Sequence, residues 1–159
     1  MEPGILSLWT AFVCGTPLSP TVVPTVTSFG DTPDTQTRLA DLVVAGAKRA
    51  TASLLRAYGD EPLPNFGAFF VVVDGEGVPR CVCRITSVEV RPFSAVDGAF
   101  ATEEGESTLE CWQAAHRAFF QRQAADDGFI FDDGAELVLE KFEVVYLPAA
   151  PADPSTGSG

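Results

Sequence analysis

An amine, an alcohol and a carboxylate supply the parts of a hydrolytic site that needs no metal ion, and this sequence offers all three. Gly46-Ala47-Lys48-Arg49-Ala50-Thr51 places a lysine three residues before a threonine, and Thr102-Glu103-Glu104-Gly105-Glu106 supplies carboxylates much later in the chain. A lysine withdrawn from water loses affinity for its proton, so its pKa falls below about 10.4. A neutral Lys48 can then take the proton of the Thr51 hydroxyl and make it a nucleophile. Left charged, the same amine stabilises a developing oxyanion or a phosphate. Residues three apart face opposite sides of a strand but share a side in a turn or helix. Lys48 and Thr51 therefore cooperate only if the chain is still turning after Gly46. The plainer alternative is an exposed lysine after a helix and a threonine filling a strand position. For Glu103, Glu104 and Glu106 the plain role is a solvated approach to a helix, where negative charge suits the N-terminal dipole. The functional role is for one of them to turn inward, orienting Lys48 or shuttling a proton.

Further along, Trp112 and His116 lie one helical turn apart. Core packing is the default for the tryptophan, and a satisfied, half-buried place is the default for the histidine. Alternatively, Trp112 stacks on a base and His116 lines the same pocket. Lys48, Arg49 and Arg56, close in sequence, are the candidates for a basic patch, with Arg80, Arg84 and Arg91 on the next strands. The whole chain carries a net charge of −12. Proteins that grip long nucleic acids by their phosphates are usually basic. Any nucleic-acid role here must use a local patch or a small or single-stranded substrate.

These groups need elements to position them. A short helix is expected over about 5–14, carrying Trp9 and Phe12, followed by an irregular Thr16–Ser28 connection. Thr32-Pro33 is a helix start, a capping hydroxyl followed by proline at the first helical position. Leu39, Leu42 and Val43 then share a face, and Gly46 ends the helix in a left-handed conformation. Phe69–Asp74 and the alternating Arg80–Val90 run form a hairpin about Asp74-Gly75-Glu76-Gly77. Ser107, with Glu110 three residues on, has the pattern of a capping box for a helix running to about Gln123. Leu137–Leu147 reads as a closing strand. Strands interrupted by helices, with no regular βαβ alternation and no glycine-rich phosphate loop, indicate an α+β fold. The form expected is a small, strongly bent β-barrel with helices over a cleft at one opening.

At 159 residues and 46% hydrophobic, with 12 Phe, the chain suits one domain over 1–148. The Ala/Pro/Ser/Gly stretch 149–159 reads as a disordered tail. No apolar run approaches the roughly 20 residues of a membrane span. Glu2 replaces the basic flank of a secretory signal, so a cytoplasmic protein is expected. Cys14, Cys81, Cys83 and Cys111 are then reduced, buried thiols; Cys81 and Cys83 are two apart rather than at zinc-knuckle spacing. No metal and no cofactor are expected.

The pattern Leu39-x-x-Leu42-Val43-x-x-Gly46-x-Lys48-x-Ala50-Thr51-x-Ser53 resembles the ASCH domain, a PUA-like family. So do Leu63-Pro64-x-x-Gly67, Val73-Asp74-Gly75, Pro92-Phe93-x-x-Val96, Phe100-Ala101-x-x-Glu104-Gly105-Glu106, Trp112-x-x-x-His116-x-x-Phe119-Phe120 and Glu140-x-Phe142. Each is weak alone, but together they run in order over about 27–147, with a helical extension before them. The resemblance implies a PUA-like barrel with helices beside a cleft. It also implies one of three activities: ribonuclease-like hydrolysis of RNA, amide hydrolysis of N4-acetylcytidine, or RNA or nucleotide binding without catalysis. The amidohydrolases of the family use a lysine, a threonine and a glutamate, matched here by Lys48, Thr51 and Glu104. Arg49, Arg56, Trp112 and His116 are the candidates to bind the RNA or nucleoside. The longer N-terminal region and the Trp112/His116 helix depart from the small amidohydrolase type. The sequence gives no oligomeric state.

Overall fold

A computed structural model describes residues 1–18 and 21–148; the stretch 149–159 expected to be a tail lies outside them. The framework is a five-stranded sheet in the order β1-β3-β4-β5-β2. Its strands are β1 (Thr25–Thr27), β2 (Ala50–Leu54), β3 (Phe69–Val73), β4 (Pro79–Pro92) and β5 (Glu136–Tyr146). β1 pairs parallel with β3, and every other pairing is antiparallel. The register of the long β4–β5 ladder shifts at Val82/Cys83 and again at Ile85/Ser87. Such irregularities increase local twist and bend a sheet. The sheet curls into a half-barrel, and its edge strands β1 and β2 are not paired with each other. The expected α+β barrel class holds, with closure incomplete.

Four helices cover the sheet: α1 (Pro3–Cys14), α2 (Pro33–Val44), α3 (Gly98–Glu103) and α4 (Leu109–Asp127). α1 buries Ile5, Leu8, Trp9 and Phe12 at helical spacing, against Val71 and Val82 of the hairpin. In α2 the Thr32 side chain accepts from the Thr35 N–H, as the sequence indicates. The residues it buries completely are Ala40 and Val43, while Leu39 and Leu42 are only half-buried. A second core joins this face to Phe70, Val72, Ile85 and Phe142. A third lies beneath α3 and α4, where Phe93, Phe100, Trp112 and Phe120 pack on Leu54 and Leu137.

Several local expectations need correction. The cap of α4 is Thr108, whose hydroxyl accepts from the Cys111 N–H, so Ser107 and Glu110 form no capping box. The helix runs past Gln123 to Asp127, stopped by Gly128 in the left-handed conformation at φ +77°. β1 forms inside the stretch expected to be irregular, held by one neighbour, and α3 has no counterpart among the expected elements. Cys81 and Cys83 are buried with their sulfurs 3.8 Å apart, but Cys14 and Cys111 are exposed; all four are free. Among the described residues no helix is long and apolar enough to cross a membrane.

Candidate active site

Two glycine-ended helices deliver the charged groups. After α2 the chain turns at Gly46, φ +80°, and the N–H groups of Ala47 and Lys48 both donate to the Leu42 carbonyl. Lys48 is therefore still on the turn, two residues before β2 begins, which resolves the facing problem posed by its spacing from Thr51. After α3, Gly105 has φ +96°, and Glu106 N–H donates back to the Ala101 carbonyl. That turn directs Glu104 inward. The Arg49 N–H donates to the Glu103 carbonyl, stitching the two turns together.

Lys48 and Glu104 are the two buried charged residues among the described ones, at 4% and 6% exposure. Their Nζ and Oε1 lie 3.5 Å apart. The Lys48 ammonium also donates to the Ala50 carbonyl at 2.7 Å and lies 4.9 Å from the centre of the Phe29 ring. Oε1 of Glu104 accepts from the Ala52 N–H at 3.2 Å. Its Oε2 accepts from the Trp112 indole N–H and faces His116 Nε2 at 3.0 Å. Four groups thus surround one carboxylate, which fixes its orientation.

The electrostatics follow from this arrangement. Burial pulls the Lys48 pKa below its ordinary value, with Glu104 and Glu106 opposing the shift. For Glu104, burial pushes upward, but the His116 hydrogen bond, the Lys48 charge and the Trp112 donor outweigh it, so its pKa ends below the carboxylate norm. The site thus favours an ionised Glu104 beside an amine that gives up its proton readily. A neutral amine has two N–H bonds, enough for Ala50 and Glu104, and one lone pair left to accept a proton. Thr51 borders the same chamber, of about 350 Å³, together with Lys48, Glu104 and His116. Among the described residues, its hydroxyl has no hydrogen-bonding partner.

The other candidates separate. Trp112 is fully buried, stacked on Phe93 and on His116, so it has no face to offer a base. Its contribution is the indole N–H given to Glu104. His116 does border the chamber, but Nδ1 is 2.9 Å from the Trp112 carbonyl and Nε2 faces Glu104, so both ring nitrogens are engaged. Arg49 points outward beside Lys48 and is not a wall of the chamber. Arg56 covers the Phe129 ring at 3.6 Å and lines a different hollow with Leu54 and Ile130. The expected Lys48/Arg49/Arg56 basic patch therefore does not form. Instead Arg38 and Arg122 stand at the chamber, Arg122 3.8 Å from Asp31. They come from α2 and α4, and only knowledge of how those helices meet would have paired them. Among the described residues no cluster of His, Cys, Asp and Glu could hold a metal ion.

The model of the ASCH domain matches residues 25–146. No curated protein matches. Among solved structures, an ASCH domain from Lactobacillus crispatus JV V101 is 33% identical, with a TM-score of 0.84 over 92% of this chain and 96% of that one. Protein EF3133 from Enterococcus faecalis V583 is 35% identical, with a TM-score of 0.86 over 92% and 91%. The family match takes in β1 through β5, and with them both turns that carry Lys48 and Glu104: the chain belongs to the ASCH domain family.

Proposed function

We propose that this protein is a hydrolase that removes an N-acyl group from a modified nucleoside, with N4-acetylcytidine as the type of substrate. The observation that carries this reading is the water-shielded Lys48–Glu104 pair, 3.5 Å apart, lining one chamber together with Thr51. Lys48 is the base: its neutral amine takes the Thr51 proton as the threonine oxygen adds to the acyl carbon. The same proton passes to the departing nitrogen as the C–N bond breaks, and water then releases the acyl group from Thr51. Glu104, enclosed by donors, keeps the amine aimed and balances its charge when it is protonated. A carbonyl substrate also suits the surroundings, because Asp31, Glu104 and Glu106 all border the chamber and repel a phosphodiester.

A second reading, cleavage of RNA, is favoured by Arg38 and Arg122 at the chamber, where they would hold phosphate. In that reading Lys48 acts on a ribose hydroxyl rather than on Thr51. Incubating purified protein with N4-acetylcytidine and with end-labelled single-stranded RNA, and separating products by chromatography, distinguishes the two. Release of acetate and cytidine, reduced about 10²–10⁴-fold in Lys48→Ala, is expected. RNA fragments that depend on Lys48, without deacetylation, would establish the second reading instead. Inertness towards both substrates would end the hydrolase proposal.

A further inference from the structure

A second cavity, of about 460 Å³, lies on the far side of Thr51, between the unpaired edges of the half-barrel. Thr25 and Thr27 of β1 form one wall and Thr51 of β2 the other. Phe29 borders both cavities, with Lys48 over its ring on the chamber side. The floor is aromatic: Phe29 stacks on Phe142 with centroids 5.6 Å apart, and Phe70 meets Phe142 edge-on at 5.2 Å. Three polar side chains join Thr25, Thr27 and Thr51 in this lining: Tyr58, Asn65 and Glu140. Glu140 is the cross-strand partner of Thr51 in the β2–β5 ladder, so it stands next to the proposed nucleophile. It makes no ion pair or side-chain hydrogen bond with any described residue. Burial alone pushes its carboxyl above the carboxylate norm, as befits an acceptor with no donor. Neither lysine nor arginine lines this cavity.

We propose that this cavity is the recognition subsite of the hydrolytic site, taking a neutral planar heterocycle that presents an N–H edge to Glu140 while its reacting group reaches across Thr51 towards Lys48. This rests on the reading of Lys48, Thr51 and Glu104 as the working groups. The volume falls within the range of small-molecule sites, roughly 300–1,000 Å³, and such sites join apolar walls to a few placed polar groups. At pH above its raised pKa, the Glu140 carboxylate only accepts hydrogen bonds. It therefore favours the amino-bearing edge of cytosine or guanine and opposes the carbonyl-flanked edge of uracil. With no cation in the lining, a phosphate gains nothing here.

Titration calorimetry of the wild-type protein with cytidine, guanosine and uridine tests this without any substitution. Cytidine and guanosine are expected to bind about tenfold or more tightly than uridine. In Glu140→Gln, which keeps the side chain's shape, that preference is expected to vanish. Equal affinity for all three nucleosides, no binding of any, or a preference that survives in Glu140→Gln would overturn the subsite. Turnover is measured separately on wild type and Lys48→Ala. Lys48-dependent turnover without base preference removes the subsite alone, whereas base preference without Lys48-dependent turnover keeps the subsite and removes the hydrolase reading.

Discussion

In the proposed reaction, Lys48 is the residue whose environment sets the chemistry. Burial lowers its pKa from the ordinary 10.5, and Glu104 limits the fall. The rate should therefore rise with pH as the amine deprotonates, below the ordinary lysine range. In Glu104→Gln the support for the charged amine is gone, so the rising limb should move to lower pH while the maximum rate falls. A pH profile of kcat/KM for both proteins checks this, and a limb that stays put contradicts it. Stability has its own sign. The folded pKa of Glu104 is depressed, so its contribution is present above the carboxylate norm and lost as pH falls through the folded value. Thermal melts across acid pH should show that loss in the wild type and a weaker dependence in Glu104→Gln. Lys48 and Thr51 could be picked from their types and spacing, and the family pattern singled out Glu104. The partners of Glu104 could not be read. Trp112 takes the core place that is its default, but a helical tryptophan beside a histidine gives no sign of which way it faces, so neither its indole N–H to Glu104 nor the loss of the stacking role could be read.

The elements matter because Lys48 and Glu104 each hang from a turn at the end of a helix, while Thr51 is held in strand β2. Thr32-Pro33 and Gly46 are local signals with local causes, so both ends of α2 could be read directly. Ser107 and Thr108 can both cap α4, so the sequence pattern starts the helix one residue early; the hydroxyl that accepts from the Cys111 N–H is that of Thr108. β1 was missed because three residues carry no periodicity of their own and depend on β3. The half-barrel's open edge, and the cavity in it, arise from distant pairings that no local pattern encodes. Two substitutions separate scaffold from site. Thr108→Ala removes the α4 cap and should cost about 1 kcal/mol, with kcat unchanged in the folded protein. Gly105→Ala forces a side chain into φ +96°, at a cost of about 1–3 kcal/mol, and shifts the turn holding Glu104 against Lys48. It should lower kcat disproportionately. Denaturant unfolding paired with steady-state kinetics distinguishes the two, and equal effects on kcat would contradict the role given to this turn.

Across the whole molecule the charge of −12 bears on the substrate. A protein making 6–10 phosphate contacts loses about 10³–10⁵ in nucleic-acid affinity between 50 and 200 mM salt. The positive groups at the chamber are few, and Asp31 already occupies Arg122. For a neutral nucleoside, kcat/KM should change less than about twofold over that salt range, since there is no long-range charge to screen. A steep salt dependence with nucleoside would contradict the neutral-substrate account. The central claim is that Lys48, Thr51 and Glu104 act as one unit, and residues that do so lose function together rather than additively. The most direct measurement compares kcat/KM for N4-acetylcytidine in Lys48→Ala, Thr51→Ala, Glu104→Gln and the triple variant. Each single change should abolish most of the activity, with the triple variant scarcely lower. A Lys48→Ala protein that deacetylates as fast as the wild type would contradict the account.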